Sequence, residues 1–354
     1  MTDPTVTMTR TAAQTLDEAI AGLRPDKVFV LYDDTTQRLC APLLAASAEL
    51  RHATTLTIPA TDAHKNLEAL ASVWQSLSDG GASRRSLLVN VGGGMVTDLG
   101  GFAASTFKRG IAYINIPTTL LAMVDASVGG KTAINFNGLK NEIGVFNAPR
   151  RVIVDMHFLR TLGTDNLLSG YAEMIKHGLI SNARHWAQLM RFNFNDCDND
   201  NTDLHDMVAE SIDIKASIVK QDPHERGLRK ALNVGHTAGH ALESLALASG
   251  HPVLHGYAVA WGIVCELFLS RTQKHFPTTQ MQQTISYIRE NYGAMAFSCK
   301  DYPRLFQLMC HDKKNEGGNV NFTLLSGIGK IELNCTATKD EIYAMLDFYR
   351  DAMD

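Results

Sequence analysis

The 354-residue sequence has no C-x-x-C pair; its six cysteines, Cys40, Cys197, Cys265, Cys299, Cys310 and Cys335, are scattered along the chain. That spacing indicates neither a disulfide framework nor a cysteine zinc site, and it suits a reducing compartment. No segment reaches ~18 uninterrupted apolar residues, and the polar, threonine-rich start from Met1 to Leu16 lacks the apolar stretch of an export signal. A soluble, cytoplasmic protein without a membrane anchor is expected. An excess of positive charge is also missing: 33 Lys+Arg against 37 Asp+Glu give a formal net charge of −4. This argues against a general nucleic-acid binder, so any anion site must be built locally. Internal repeats, H-E-x-x-H and G-x-G-x-x-G are absent as well.

What the chain does have is enough apolar sequence for two adjoining cores, expected as residues 1–160 and 161–354. In the first, short β-branched or apolar runs alternate with amphipathic stretches, the pattern of a parallel sheet covered by helices. Lys27 to Tyr32, Ser86 to Val91, Ile111 to Ile116 and Arg151 to Val154 read as strands, and Leu67 to Leu77 and Asp98 to Thr106 as helices. After about Asp155, helical patterns take over through Met174, Ile214, Leu242, Val264 and Ile285. The fold expected is an α/β nucleotide-binding domain followed by a mainly helical one. Asn193 to Asp203 reads as a solvated acidic loop, and Asn319 to Leu325 with Lys330 to Leu333 as a small hairpin.

Four signals carry chemistry. The first is VGGGMVTDLGG, Val91 to Gly101, where a strand gives way to a helix. Consecutive glycines let backbone amides approach a pyrophosphate, and the helix start favours its charge. Alone, such a cluster is a tight turn. Asp33-Asp34 at one strand end and Pro117-Thr118-Thr119 at another add a ribose acceptor and hydroxyls at the same sheet edge, which together point to a dinucleotide. The second signal, Met123 to Gly144, gathers Asp125, Lys131, Lys140 and Asn141 around Gly129-Gly130 and suits a bound oxyanion.

The third signal is a set of metal-ligand types. His236 and His240 in LNVGHTAGHALE share one helix face, while Glu173 in GYAEMIKHG and His255 in VLHG lie on other segments. Thr237 stands where a zinc protease carries its glutamate, which removes the protease reading. Two histidines and a glutamate would leave an open position on a catalytic cation; the spacing itself leaves both helical histidines open as ligands. The fourth is the cationic set Lys176, Lys215, Arg229 and Lys313-Lys314, which in an acidic chain suggests an anionic substrate.

As a group these residues resemble the 3-dehydroquinate synthase family from about Val28 to Lys330. The resemblance rests on GGGMVTDLGGFAASTFKRG, PTTLLAMVDASVGGKTAINFNGLKNEIG, LRTLGTDNLLSGYAEMIKHGLI, LRKALNVGHTAGHALE and LHGYAVAWG, in that order. It implies a cytosolic shikimate-pathway enzyme that converts 3-deoxy-D-arabino-heptulosonate 7-phosphate to 3-dehydroquinate. It also implies a homodimer carrying NAD and one Zn or Co ion per site.

Carried over by position, the metal ligands are Glu173, His236 and His255, with His240 beside the substrate phosphate. Lys131 and Asn141 join it there, and Arg109 reaches the phosphate of the neighbouring subunit. Lys215, Arg229 and one of Lys313 and Lys314 take the substrate carboxylate, and Asp125, Lys176 and Asn233 the hydroxyls around the reacting carbons. For NAD the resemblance points to Asp33, Asp62, Lys65, Gly93, Gly94, Asp98, Thr118, Thr119, Lys140 and Thr161. Asp62, and Tyr257 after His255-Gly256, stand where the family usually has glutamate.

Overall fold

Strands buried on both faces must be apolar along their length, and parallel neighbours must be joined by crossovers, which favours helices between them. The computed structural model describes residues 5–137, 139–194, 202–310 and 320–354. It divides into two units, Met1–Gly163 with Asp198–Ala216, and Thr164–Cys197 with Ser217–Asp354.

The first unit runs β1 (Val6–Thr9), α1 (Ala12–Leu23), β2 (Val28–Asp33), α2 (Asp34–Leu39), β3 (Thr54–Ile58), α3 (Leu67–Asp79), β4 (Leu87–Gly92), α4 (Gly94–Thr106), β5 (Ala112–Pro117), β6 (Lys131–Phe136), β7 (Leu139–Phe146) and β8 (Arg151–Asp155). Six of these strands form a parallel sheet in the order β1-β8-β5-β4-β2-β3. The chain leaves β2 for β3 on one side, then returns as β4 on the other and continues to β5. The order therefore reverses between β2 and β4, and the crevice beyond such strand ends is where α/β sheets take ligands. Those ends are Asp33 and Gly92.

Leu31, Leu88, Val96, Leu99 and Phe102 lie in the core between sheet and helices. α4 can come down onto the sheet because Gly100 has no side chain: a Cβ there would stand 2.0 Å from Asn90 Oδ1 and 2.9 Å from Leu31 Cδ2. Truncating a fully buried leucine such as Leu99 to alanine in such packing costs about 2–5 kcal/mol.

The four expected strands are present with ends shifted by a residue or so, and α3 begins as expected at Leu67. α4 begins at Gly94, ahead of the expected Asp98, because its first turn, with Gly94 and the β-branched Val96 and Thr97, has little intrinsic helix propensity and owes its form to packing. β1 and β3 were not foreseen. Both are threonine-rich edge strands, and in β3 only Leu56 and Ile58 are buried, so hydrophobic periodicity is weak. The antiparallel hairpin β6/β7 falls in the stretch after Gly129-Gly130 read as suited to an oxyanion, where no strand was expected.

The second unit contains α5 (Thr164–Ser181), α6 (Ala183–Leu189), the end of α7 (Thr202–Gln221), α8 (His236–Ala248), α9 (His255–Lys274), α10 (Thr278–Tyr292), α11 (Tyr302–Cys310), the antiparallel strands β9 (Val320–Gly327) and β10 (Lys330–Ala337), and α12 (Lys339–Met353). The expected hairpin is thus present. α9 is buried on every side from Ala258 to Leu267, apolar throughout except for Glu266, and such a helix belongs in the middle of its unit. α12 starts with a capping box read directly from T-x-x-E: Glu341 N donates to Thr338 Oγ1, and Thr338 N to Glu341 Oε2. Of the acidic loop, residues 195–201 lie outside the described residues, and Thr202 already opens α7. No described helix is long and apolar enough to cross a membrane.

Candidate active site

At the sheet edge of the first unit, Asp33 caps α2: Thr36 N donates to its Oδ1 at 2.8 Å, and Asp33 N donates to Thr36 Oγ1. One carboxylate oxygen expected for a ribose is therefore engaged in holding a helix. Gly93 precedes α4 without a side chain to cap it, leaving the first-turn N–H groups to other acceptors. Thr118 N donates to Gly92 O at 3.0 Å, and a Cβ on Gly93 would approach Thr119 Cγ2 to 3.1 Å. Thr161 Oγ1 donates to Phe158 O and lies 3.8 Å from Cys40 Sγ.

A polar cluster around the hairpin joins four of the expected cofactor residues. Lys65 Nζ donates to Asp98 Oδ2 and to Asn141 Oδ1, both at 2.5 Å, and Lys65 is only 4% exposed. Lys140 Nζ lies 3.3 Å from Asp62 Oδ2. Asn135 ties the two pairs together: its N donates to Lys65 O, its Nδ2 to Asp62 O, and its Oδ1 accepts from Asn141 N. Burial pushes the Asp98 carboxyl up, and Lys65 acts against that rise. Asn141 has a left-handed backbone (φ 51°), a strained state that such a network can hold.

Asp125 sits on a π-helical turn, Ala122–Ala126, closed by Ser127 N donating to Ala122 O. Such turns re-aim a side chain locally. Lys215, on the part of α7 that belongs to the first unit, donates to Asp125 Oδ1 at 2.7 Å and Asp125 O at 2.5 Å. Lys131 opens β6 and is exposed. Arg109 is exposed too, in a turn where Lys108 (φ 49°) and Arg109 (φ 68°) both take left-handed backbone.

In the second unit, His236 and His255 are the first residues of α8 and α9, and Glu173 lies mid-way along α5. Glu173 Oε1 is 3.5 Å from Nε2 of each histidine. The same oxygen is buried and has no hydrogen-bond partner among the described residues. Two ligands about 2.1 Å from a tetrahedral cation stand about 3.4 Å apart, so the spacing fits a shared ion better than direct hydrogen bonds. The far edges of the rings are held: His236 Nδ1 is 3.1 Å from Val234 O, and His255 Nδ1 is 3.4 Å from Glu243 Oε2. His240 belongs to the same group, its ligand atom within 4.8 Å of those of His236 and His255.

Burial works to raise Glu173, but Lys176, bonded to its Oε2, and the two histidines hold it well below the usual carboxylate range. Burial drives His236 well below the ordinary histidine value, toward the neutral imidazole that ligates. For His255, burial is outweighed by Glu173 and Glu243, which push it up to about 10.

Arg229 is 2% exposed and donates to Pro223 O, and the turn before it is held by Asp222, whose carboxylate accepts from Arg226 N, Gly227 N and Arg229 N. Asn233 Nδ2 donates to Glu225 Oε1. Tyr257, where glutamate was expected, donates instead toward Asp165 Oδ1 at 3.2 Å. Lys313 and Lys314 lie outside the described residues. Glu243 and Asp222 were not singled out from the sequence, although Glu243 is seven residues after His236 and so on the same helix face.

Comparison with known proteins identifies the family of the chain. Two family models, described as 3-dehydroquinate synthase N-terminal and C-terminal, match residues 55–169 and 170–315. A 3-dehydroquinate synthase of Parabacteroides distasonis is 51% identical over 353 residues, 99% of each chain. Among solved structures, a 2-epi-5-epi-valiolone synthase of Streptomyces hygroscopicus, with NAD+ and Zn2+ bound, superposes with a TM-score of 0.83 at 22% identity, covering 99% of this chain and 97% of that one. A 2-deoxy-scyllo-inosose synthase complexed with carbaglucose-6-phosphate, NAD+ and Co2+ gives 0.81 at 24%, over 98% and 96%. With both models matched and a full-length relative sharing half its residues, the chain belongs to the 3-dehydroquinate synthase family.

Proposed function

We propose that the chain converts 3-deoxy-D-arabino-heptulosonate 7-phosphate to 3-dehydroquinate and phosphate, using NAD+ and one divalent cation. The observation that carries the reading is the buried Glu173 Oε1 held 3.5 Å from two imidazole nitrogens in a chain of this family. When bound, NAD+ takes up and returns a hydride at one carbinol, whose oxygen the cation polarises.

Glu173, His236 and His255 hold the cation, and their two nitrogens and one oxygen suit Zn2+ or Co2+. In the first unit, Gly93 and Gly94 give the pyrophosphate close access to backbone amides, with Asp33, Asp62, Lys65, Asp98, Thr118, Thr119, Lys140 and Thr161 as the further NAD contacts. Lys131 and Asn141 take the substrate phosphate. Asp125 and Lys215 are assigned to a substrate hydroxyl and to its carboxylate. In the second unit, His240 serves the phosphate, Arg229 the carboxylate, and Lys176 and Asn233 the hydroxyls. The buried Arg229 supports a carboxylate-bearing substrate, because a planar fork out of water binds a carboxylate at two points. Oxidation acidifies the neighbouring C–H, phosphate leaves, the carbonyl is reduced, and the opened ring closes by an aldol step favoured by the proximity of its ends.

A homodimer with Arg109 at the neighbour's phosphate is part of the proposal. It is supported by the strained turn that carries Arg109 and by the exposed apolar strand β7, where Leu139, Ile143, Val145 and Phe146 face solvent in the single chain. The test is incubation with the heptulosonate phosphate and catalytic NAD+, following phosphate release and carbocycle formation. Many turnovers without lasting NADH support the reading. Stoichiometric NADH, or turnover only of a phosphosugar lacking the carboxylate, overturns it.

A further inference from the structure

α8 starts without a cap of its own. Gly235 precedes it in a left-handed conformation (φ 79°) and has no side chain to offer, so the first-turn N–H groups need acceptors from elsewhere. They find one carboxylate, that of Glu266 on α9. Its Oε2 accepts from Gly235 N at 2.7 Å, and its Oε1 from Thr237 N at 3.0 Å and Ala238 N at 3.1 Å. Glu266 is 1% exposed. A carboxylate so deeply buried is tolerated only when hydrogen-bonded, and three N–H donors at the positive end of a helix compensate it well.

The reach depends on how closely the helices touch. A Cβ at Gly262 would stand 2.0 Å from Gly235 O and 2.6 Å from Gly239 N, so only glycine there lets α9 lie against the start of α8. His236 is the residue between the bonded amides of Gly235 and Thr237. Its backbone is gripped on both sides while its Nδ1 meets Val234 O at 3.1 Å.

We propose that Glu266 is the positioning residue of His236, fixing the first turn of α8 so that the imidazole Nε2 stays aimed at Glu173. The proposal rests on reading Glu173, His236 and His255 as the cation site. Glutamine at 266 keeps the volume but faces a donor NH2 toward backbone N–H groups, so the turn loses its grip without leaving a cavity.

The test uses the full-length protein stripped of metal, titrated with Co2+ in the presence of NAD+ and followed by the visible d–d absorption. Glu266→Gln is expected to weaken Co2+ binding about 10–100-fold and to alter the band shape, while thermal unfolding remains cooperative and NAD+ affinity holds. In a His236→Ala background the same substitution is expected to add no further loss, because its effect passes through that ring. Unchanged Co2+ affinity in Glu266→Gln, or an equal loss with His236 already gone, overturns the positioning role. Failure of the wild-type protein itself to bind Co2+ tightly removes the cation site and the proposal with it. Should Glu266→Gln not fold, hydrogen exchange on the metal-free wild type decides. Thr237 and Ala238 amides must be protected like helix interior, and exchange at loop rates overturns the proposal.

Discussion

Glu243 Oε2 lies 3.4 Å from His255 Nδ1, on the ring edge opposite the Nε2 that approaches Glu173. A carboxylate in that place orients the ring and makes its other nitrogen a better ligand. Glu243→Ala should therefore lower metal affinity by about 10–100-fold with the cation-binding residues all present. Metal content after dialysis against a chelator reads this directly. Retention equal to wild type would show that the pair only fills space.

His240 and His255 stand in one cluster, yet they should respond differently to removal. His255→Ala should abolish tight metal binding, since its Nε2 is one of the two nitrogens 3.5 Å from Glu173 Oε1. His240→Ala should keep the metal and lose activity through the phosphate step. Equal metal loss in both variants would make His240 a ligand, the alternative that three histidine ligand atoms within 4.8 Å leave chemically reasonable.

Parts of this site were legible in the sequence for definite reasons. Glycines, a strand-end aspartate and Pro117-Thr118-Thr119 mark one sheet edge because a parallel sheet puts all its strand ends on one side. The helical spacing of His236 and His240 was readable, but the choice of His255 over His240 beside Glu173 and His236 came from family resemblance, and the 3.5 Å spacing of His255 Nε2 from Glu173 Oε1 is the geometry consistent with it. The Lys65–Asp98–Asn141 network was hidden because three distant segments build it, and no local pattern records which buried lysine meets which carboxylate. The π-turn under Asp125 likewise has no signature in AMVDA. β6 and β7 were hidden by the glycine pair before them and by a β7 exposed along its whole length.

Asp222 links pH to the loop that carries Arg229. Backbone N–H groups of Arg226 and Gly227 hold its pKa below the usual 3.8. A depressed carboxylate contributes stability that is fully present above the unfolded pKa and fades as pH falls through the folded one. Asp222→Ala should thus be destabilised relative to wild type above about pH 5, with the gap closing toward about pH 3. Urea midpoints across that range check the sign, and a gap that widens in acid contradicts it. At neutral pH the variant should also raise KM for the heptulosonate phosphate more than it lowers kcat, because the turn positions Arg229, the proposed partner of the substrate carboxylate.

Arg109 offers the test of a site shared between subunits. Consecutive left-handed residues at Lys108 and Arg109 cost backbone strain, which persists where a side chain has a job to do. Arg109→Ala and Lys131→Ala should each be nearly inactive, since the proposed site places both cations on the same phosphate. Mixed by refolding or co-expression, about half the dimers carry one variant of each kind. If Arg109 serves the partner's site, each mixed dimer has one site with both cations and one with neither. Activity should then recover to about a quarter of wild type per subunit. If Arg109 serves its own subunit, every site in a mixed dimer keeps one defect and nothing recovers. Native mass spectrometry confirms that mixed dimers have formed, so a silent mixture containing them would place Arg109 outside the neighbouring site.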